Sequence, residues 1–345
     1  MTIIIIIIIL IIFYFVNYFL IKKDIERFDN IDLNNLENPL NPNLSERTIW
    51  MNSKNPHNPN LSERNIWMNS ENPHNTNLSE RTIWMYWETL PGKKKPGYID
   101  LCINSVKHNC GRCFNIIVLN NKNIYNYIPE IKNINLSKLN LPQKVDYYRY
   151  SLLEKYGGIW IDADILVIKC ICPFYKKLES NDYVGFGCGY DLNTCSKTLY
   201  GYSKPLNWFM ISKKNTPFIK CVKKRAEKKI NDLNNYDKKL TYHGIGKEIL
   251  QECYDEMNKD SDWTYAHIPS KCQEFDTKGN KLNNIMIKFD WEDCKDERIF
   301  FPLYNTAPGY PDWFKELTED ELKNNDTYLK PLIDKAFILK DNCKN

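Results

Sequence analysis

The chain has 345 residues, of which 47 are basic and 43 acidic, for a net charge of +4. That length suits one sizeable α/β domain with additions at its ends. The basic residues are scattered rather than striped along one element, so nucleic acid is not an implied partner.

The chain opens on an apolar run. From Thr2 to Ile21 no side chain is charged, and Ile3 to Val16 contains no polar group except the Tyr14 hydroxyl. About 20 such residues cross the hydrocarbon core of a bilayer. A cleaved leader would have a shorter apolar region, a basic start and small residues before the cut. The reading is therefore a single-pass anchor over residues 1–23, in the membrane through residues 2–21. Lys22, Lys23 and Arg27 all follow the span, and the positive-inside bias then favours the cytosolic side for what comes after.

Residues 24–80 read as an Asn/Pro-rich stalk. Asn43–Met51 recurs as Asn60–Met68 and again as Asn77–Met85, a period of 17. Solenoid repeats are longer and carry more apolar positions per unit, so local duplication producing a spacer is the simpler account. The Asn-Leu-Ser triplets at Asn43, Asn60, Asn77 and Asn135, and Asn325-Asp-Thr, are glycosylation sequons that matter only if the domain is luminal.

A folded domain is expected over 81–345. Ile83 to Trp87 reads as a first strand, ended by Pro91 and Gly92. Gly97 to Asn109 has Ile99, Cys102, Ile103 and Val106 at helical spacing. Phe114 to Leu119 reads as a second, parallel strand, and Ile124 to Ile128 as part of another helix. This β-α-β order implies a sheet with right-handed crossovers, whose ligands sit beyond the carboxyl ends of its strands.

The most informative stretch is Lys144 to Asp164. Val145, Tyr148, Leu152, Leu153 and Tyr156 give a helix with one buried face. Gly157 and Gly158 fit its C-terminus and a tight passage into a strand. Ile159–Ile161 and Ile165–Ile168 read as one buried strand interrupted by Asp162 and Asp164. Two carboxylates in such a run are costly unless a cation compensates them. Their spacing is expected to put both side chains on one side of an extended backbone, about 7 Å apart. That arrangement suits Mg²⁺ or Mn²⁺ carrying a phosphorylated ligand. Asp146 and Arg149, three apart on the preceding helix, are spaced for a salt bridge.

Together Asp146, Arg149, Leu153, Gly157, Gly158, Trp160, Asp162 and Asp164 resemble the DXD region of glycosyltransferases with the GT-A fold. In particular they resemble the capsular-polysaccharide-synthesis and glycosyltransferase sugar-binding DXD families. A lone D-x-D arises by chance in most acidic chains; this string of about twenty residues does not.

The resemblance implies an α/β fold with a Rossmann-like, nucleotide-binding mixed sheet flanked by helices. It implies a metal-dependent glycosyltransferase, of hexosyltransferase type and retaining, that moves a sugar from a nucleotide-sugar donor to a glycan, polysaccharide or glycoprotein acceptor with Mn²⁺ or Mg²⁺ as cofactor. Asp164 would be a direct metal ligand, and Asp162 would hold the ribose, the metal or both. Asp146 and Arg149 would reach the donor sugar hydroxyls or phosphate, for which a forked guanidinium is suited. Tyr86 and Trp87 match the end of the strand that meets the nucleotide, where an aromatic can stack on a base; the competing reading makes them core aromatics. Asn207–Phe218 resembles the strand-turn-helix that follows the DXD, with Asn207 near the donor sugar or acceptor. His243-Gly-Ile-Gly246 sits where some relatives carry a Gly-Pro turn, so Gly246 could begin a helix near the acceptor, while His243 reads as a surface histidine. The alternative is a non-catalytic nucleotide-sugar or glycan-binding protein on the same fold, which predicts decay at Asp162 or Asp164; both are present.

Twelve cysteines remain. Cys110-Gly-Arg-Cys113 and Cys170-Ile-Cys172 could supply four thiolates for zinc, but nothing in the resembling families calls for it. The reading favoured is reduced, partly buried thiols in a cytosolic domain; the familiar luminal glycosyltransferases take the opposite orientation, so the side stays open, and disulfides are expected if the domain is luminal.

Overall fold

A computed structural model describes residues 80–186, 205–236, 238–257, 265–268, 298–303, 312–324 and 329–338, all within the unit Glu71–Asn345. The expected anchor at 1–23 and all of the stalk but Glu80 lie outside the described residues. Among those described, no helix is long and apolar enough to cross a membrane.

Strands β1 (Thr82–Tyr86), β2 (Asn115–Leu119) and β3 (Gly158–Ile161) run parallel with β1 in the middle, in registers that align Tyr86 with Leu119 and Trp84 with Trp160. The expected first strand is thus present, one residue earlier than its periodicity suggests. Strand β6 (Phe209–Ser212) is antiparallel to β3 and to β5 (Tyr183–Phe186), and β7 (Tyr265–Ile268) is parallel to β5. The sheet order is β2-β1-β3-β6-β5-β7, with β6 alone running against the rest.

Helix α1 (Gly97–Cys110) connects β1 to β2, and the short α2 (Ile124–Tyr127) and long α3 (Leu141–Tyr156) connect β2 to β3. The alternation of the strands then builds a core on each face. Ile83, Met85, Ile159 and Ile161 pack with α1 and, beyond it, with α8 (Glu319–Asn324) and α9 (Lys330–Phe337). Trp84 and Trp160 point the other way, among residues of α3, α5 (Pro217–Tyr236) and α6 (Lys247–Met257). Residues two apart in one strand share a face, so these two sets of side chains follow directly from β pleating.

Two expectations fail. The apolar run 159–168 is not one interrupted strand. β3 ends at Ile161, and β4 (Ile165–Val167) leaves the main sheet to pair antiparallel with β8 (Phe300–Pro302). The aspartates therefore stand in the turn between two sheets, where strict alternation of side chains no longer applies. Nor are the cysteines all reduced: Cys221 on α5 and Cys253 on α6 form a disulfide with Cα atoms 6.0 Å apart. The packing of the two helices brings these residues together although 32 positions separate them.

Candidate functional site

The sequence fixes α3 at both ends. Asn140 accepts from the Gln143 backbone at 3.0 Å while the Gln143 side chain accepts from the Asn140 backbone at 3.2 Å, closing a capping box. Pro142 occupies the first turn, where its missing N–H removes no helical bond. At the other end the chain turns through Gly157 (φ 68°) and Gly158 (φ 95°). A Cβ on Gly157 would lie 2.7 Å from the Lys214 nitrogen, and one on Gly158 2.5 Å from the Thr82 carbonyl. Only glycine meets both the positive φ and the close approach of β1 and of the turn after β6. The turn sets β3 beside β1 with its carboxyl end at the same edge as that of β1.

At that edge Arg149 is the hub. Its guanidinium, 6 % exposed, meets Asp146 Oδ1 at 3.0 Å through Nη2 and Asp162 Oδ1 at 3.2 Å through Nη1. Nη1 also donates to the Asn207 carbonyl, and the group lies over the Trp160 ring, 4.8 Å from its centroid. Asn207 Nδ2 donates back to Asp146 Oδ1 at 2.8 Å. Trp160 Nε1 donates to Asp162 Oδ1 at 2.7 Å, just past the end of β3. The structure thus brings together Asp146, Arg149, Asp162 and Asn207, four residues expected at the site. The Arg149 Nη1 and Nη2 meet protein partners, while its buried Nε has no hydrogen-bond partner among the described residues.

The electrostatics follow from burial. Asp146 is pushed up to about 6, first by desolvation and then by Asp162, against the lowering effects of Arg149 and the Asn207 hydrogen bond. Asp162 is also raised by burial and drawn down by Arg149 and Trp160. Its side chain remains 30 % exposed, so it is the member of the cluster that meets solvent.

Asp164 is placed differently. Its carboxylate raises the pKa values of Tyr98 and Cys102 on α1, in each case as the largest cause after burial, and acts on Arg149 only as the smallest cause. Its carbonyl accepts from the Leu303 backbone at 2.8 Å, tying the turn to the end of β8. The expectation that both aspartates share one side of a single strand is corrected accordingly. Asp162 belongs to the α3 layer, whereas Asp164 is felt chiefly by the α1 layer.

Tyr86 is 7 % exposed, packs on Tyr148 at 5.7 Å and donates its hydroxyl to Glu88 Oε2 at 3.2 Å. It is a core aromatic. Trp87 is half-buried, with its backbone N–H on the Leu119 carbonyl at 2.9 Å and its indole N–H on Thr89 at 3.2 Å. Of the two, Trp87 is the aromatic that still presents surface at the carboxyl end of β1. His243 is exposed, as expected of a surface histidine.

Sequence reasoning understated Gly246 and Trp160. A Cβ on Gly246 would sit 2.5 Å from Asp146 Oδ2 and 2.9 Å from Asn207 Nδ2, so this glycine forms one wall of the Asp146 cradle. Its carbonyl accepts from the Tyr150 hydroxyl at 2.9 Å, which locks it against α3. No local signal announces that contact, since 100 residues separate Asp146 from Gly246.

Fold and site define an α/β protein with an arginine-organised carboxylate cluster at the carboxyl edge of its parallel strands. The profile of the capsular polysaccharide synthesis protein family matches residues 16–304, and the chain belongs to that family. No curated protein matches the chain. Among solved structures, the PaToxG glycosyltransferase is similar at 16 % identity over 52 % of this chain and 71 % of its own, with a TM-score of 0.37, a likeness too low to carry an argument.

Proposed function

We propose that this protein is a membrane-anchored, metal-dependent glycosyltransferase that moves a sugar from a nucleotide-sugar donor to a glycan, polysaccharide or glycoprotein acceptor. The observation that carries the reading is buried Arg149 bridging Asp146 and Asp162 at the carboxyl end of β3, inside the string of residues that resembles a GT-A DXD region. Membership of a capsular polysaccharide synthesis family supports a role in glycosyl transfer. By likeness to the resembling families, the transfer is of the hexosyl type with retention.

The residues present fit the cation this reading requires. A Mg²⁺-like ion is held by one or two carboxylates and completed by water and substrate phosphates, and Asp162 and Asp164 are two carboxylates in one turn. The protein contacts of Asp162 all fall on Oδ1, leaving Oδ2 for the ribose or the cation. When bound, Mn²⁺ or Mg²⁺ supplies Lewis-acid stabilisation of the departing diphosphate. Arg149 and Trp160 orient Asp162 and oppose the loss of its charge. Asn207 and Gly246 hold Asp146 against Arg149, and Trp87 offers a ring face to the base.

Residues 2–21 would supply the anchor. Lys22, Lys23 and Arg27 favour a cytosolic domain, while the Cys221–Cys253 disulfide favours an oxidising compartment. Glycan attachment at Asn135, which is exposed, would report a luminal domain.

Thermal-shift and hydrolysis assays of the full chain against a panel of nucleotide sugars, with and without Mn²⁺, test the proposal. The expected result is stabilisation and slow donor hydrolysis that require the metal and fail in Asp164→Asn. Stabilisation without turnover would favour a binding protein, and no response to any donor would sink both readings.

A further inference from the structure

We propose that Cys113, Cys170 and Cys172 form a zinc site, an all-sulfur clamp distinct from the carboxylate cluster. Cys113 lies in the turn that ends α1, and Cys170 and Cys172 bracket the step from β4 into the short helix α4 (Cys172–Tyr175). These two segments are far apart in sequence, yet the three sulfurs all lie within 4.8 Å of one another, and no other group of three or more metal-ligating side chains does so among the described residues.

A tetrahedral ion with bonds of about 2.3 Å to sulfur sets neighbouring sulfurs ~3.8 Å apart. The pair Cys170 Sγ–Cys172 Sγ stands at 3.0 Å, inside that separation, so these two side chains must part by about 0.8 Å to take an ion; all three sulfurs lie within 4.8 Å of one another, close enough to converge on one. The Cys172 backbone N–H points at Cys170 Sγ over 3.4 Å, as it would to support a thiolate. All three are thiols rather than halves of a disulfide, in contrast to Cys221 and Cys253. Cys170 is buried and the other two are half-buried, so an ion can enter without unfolding the site.

The donors also choose the ion. Three sulfurs select zinc and similarly soft-accepting ions over the oxygen-seeking Mg²⁺ and Mn²⁺ that suit Asp162 and Asp164. Binding replaces the thiol protons with the cation, those protons pass to solvent, and nothing is oxidised or reduced. The spacing of the sequence offered Cys110 as a fourth sulfur, but that residue is fully buried in the apolar core and stands outside the cluster. The fourth position is therefore filled by water or by a donor outside these residues.

The site would extend a seam that the fold already makes. Asn109 Nδ2 donates to the Val167 carbonyl at 2.9 Å, and the Val167 N–H donates to Ser105 Oγ at 2.9 Å, joining α1 to β4. A cation just past this seam would pin the strand that carries the chain away from Asp164.

Elemental analysis of the full chain, purified under reducing conditions and then loaded with Zn²⁺, tests this. About one zinc ion per chain is expected. It should be lost in Cys113→Ala and in the double variant Cys170→Ala/Cys172→Ala, and kept in Cys110→Ala. Loading with Co²⁺ instead should give thiolate-to-cobalt charge-transfer absorption that the same variants lack. If a variant does not fold, the wild-type chain still decides the matter: Cys113 and Cys172 should resist alkylation until a chelator is added. Failure to take up either metal, metal retained in the variants, or a disulfide among the three cysteines in the isolated protein would each overturn the site.

Discussion

Asp162 and Asp164 are two residues apart and carry the same chemistry, but the fold gives them opposite surroundings. Asp162 is met from the α3 layer by a buried guanidinium and an indole N–H, both on Oδ1. Asp164 sits past the point where the chain leaves the main sheet, with its charge felt mainly by Tyr98 and Cys102 of α1. One carboxylate is positioned by a dense polar network, and the other by the backbone that ties the turn to β8. Two carboxylates in one turn need not be positioned alike.

The comparison can be broken most forcefully at Arg149. Arg149→Met leaves the buried Asp146 and the half-buried Asp162 without their cation and is expected to lower stability by about 3 kcal/mol, read by chemical denaturation. Arg149→Lys should not restore it, because a single ammonium cannot serve Asp146, Asp162 and the Asn207 carbonyl in the same fork.

The next effect is titration of Asp146. A carboxyl pushed from 3.8 to about 6 holds its proton longer in the folded state than in the unfolded one. Its contribution is therefore fully present below pH 3.8 and is lost as pH rises through about 6, by up to roughly 3 kcal/mol. Stability measured across this window, wild type minus Asp146→Asn, should fall with rising pH; a flat difference would separate Asp146 from the burial that the network imposes.

Asp164→Asn tests the other member of the pair. Fold and stability should hold, while metal-dependent donor turnover should drop on the order of 10²-fold, the scale of losing one charged group from a pre-organised site. Asp162→Asn should differ by also disturbing Trp160, whose indole fluorescence reports it.

Gly246→Ala sharpens the same contrast from a distance. Its methyl would overlap Asp146 Oδ2 and Asn207 Nδ2, and overpacking of this kind is expected to cost about 1–3 kcal/mol. The loss should act on the Asp162 side alone, leaving the near-ultraviolet signal of Tyr98 on α1 unchanged. The smallest effect is reserved for Trp87→Ala, which should weaken nucleotide binding by about 0.5–1.5 kcal/mol if its ring faces the base, with Tyr86→Phe silent because that ring is buried in the core.

Much of this was legible in residue order. The helix is announced from Val145 by its periodicity and at its other end by two glycines, and Asp146, Arg149 and Asp162 follow from it by spacing; its capping box at Asn140 and Gln143 was seen only in the structure. The disulfide, the wall made by Gly246 and the passage of β4 to another sheet were not legible. Each depends on segments that meet only after the sheet and its helices have packed.

By itself, then, the sequence determined the β-α-β succession, the buried faces of its strands, and the string of charged and aromatic residues at the end of β3. These are set by periodicity and by caps that act within a few residues of themselves. The tertiary structure decided which face each aspartate serves, which cysteines pair and which gather as thiols, and where a glycine must leave room for a carboxylate. Such choices rest on contacts between residues tens of positions apart, and only the assembled packing brings those residues within reach.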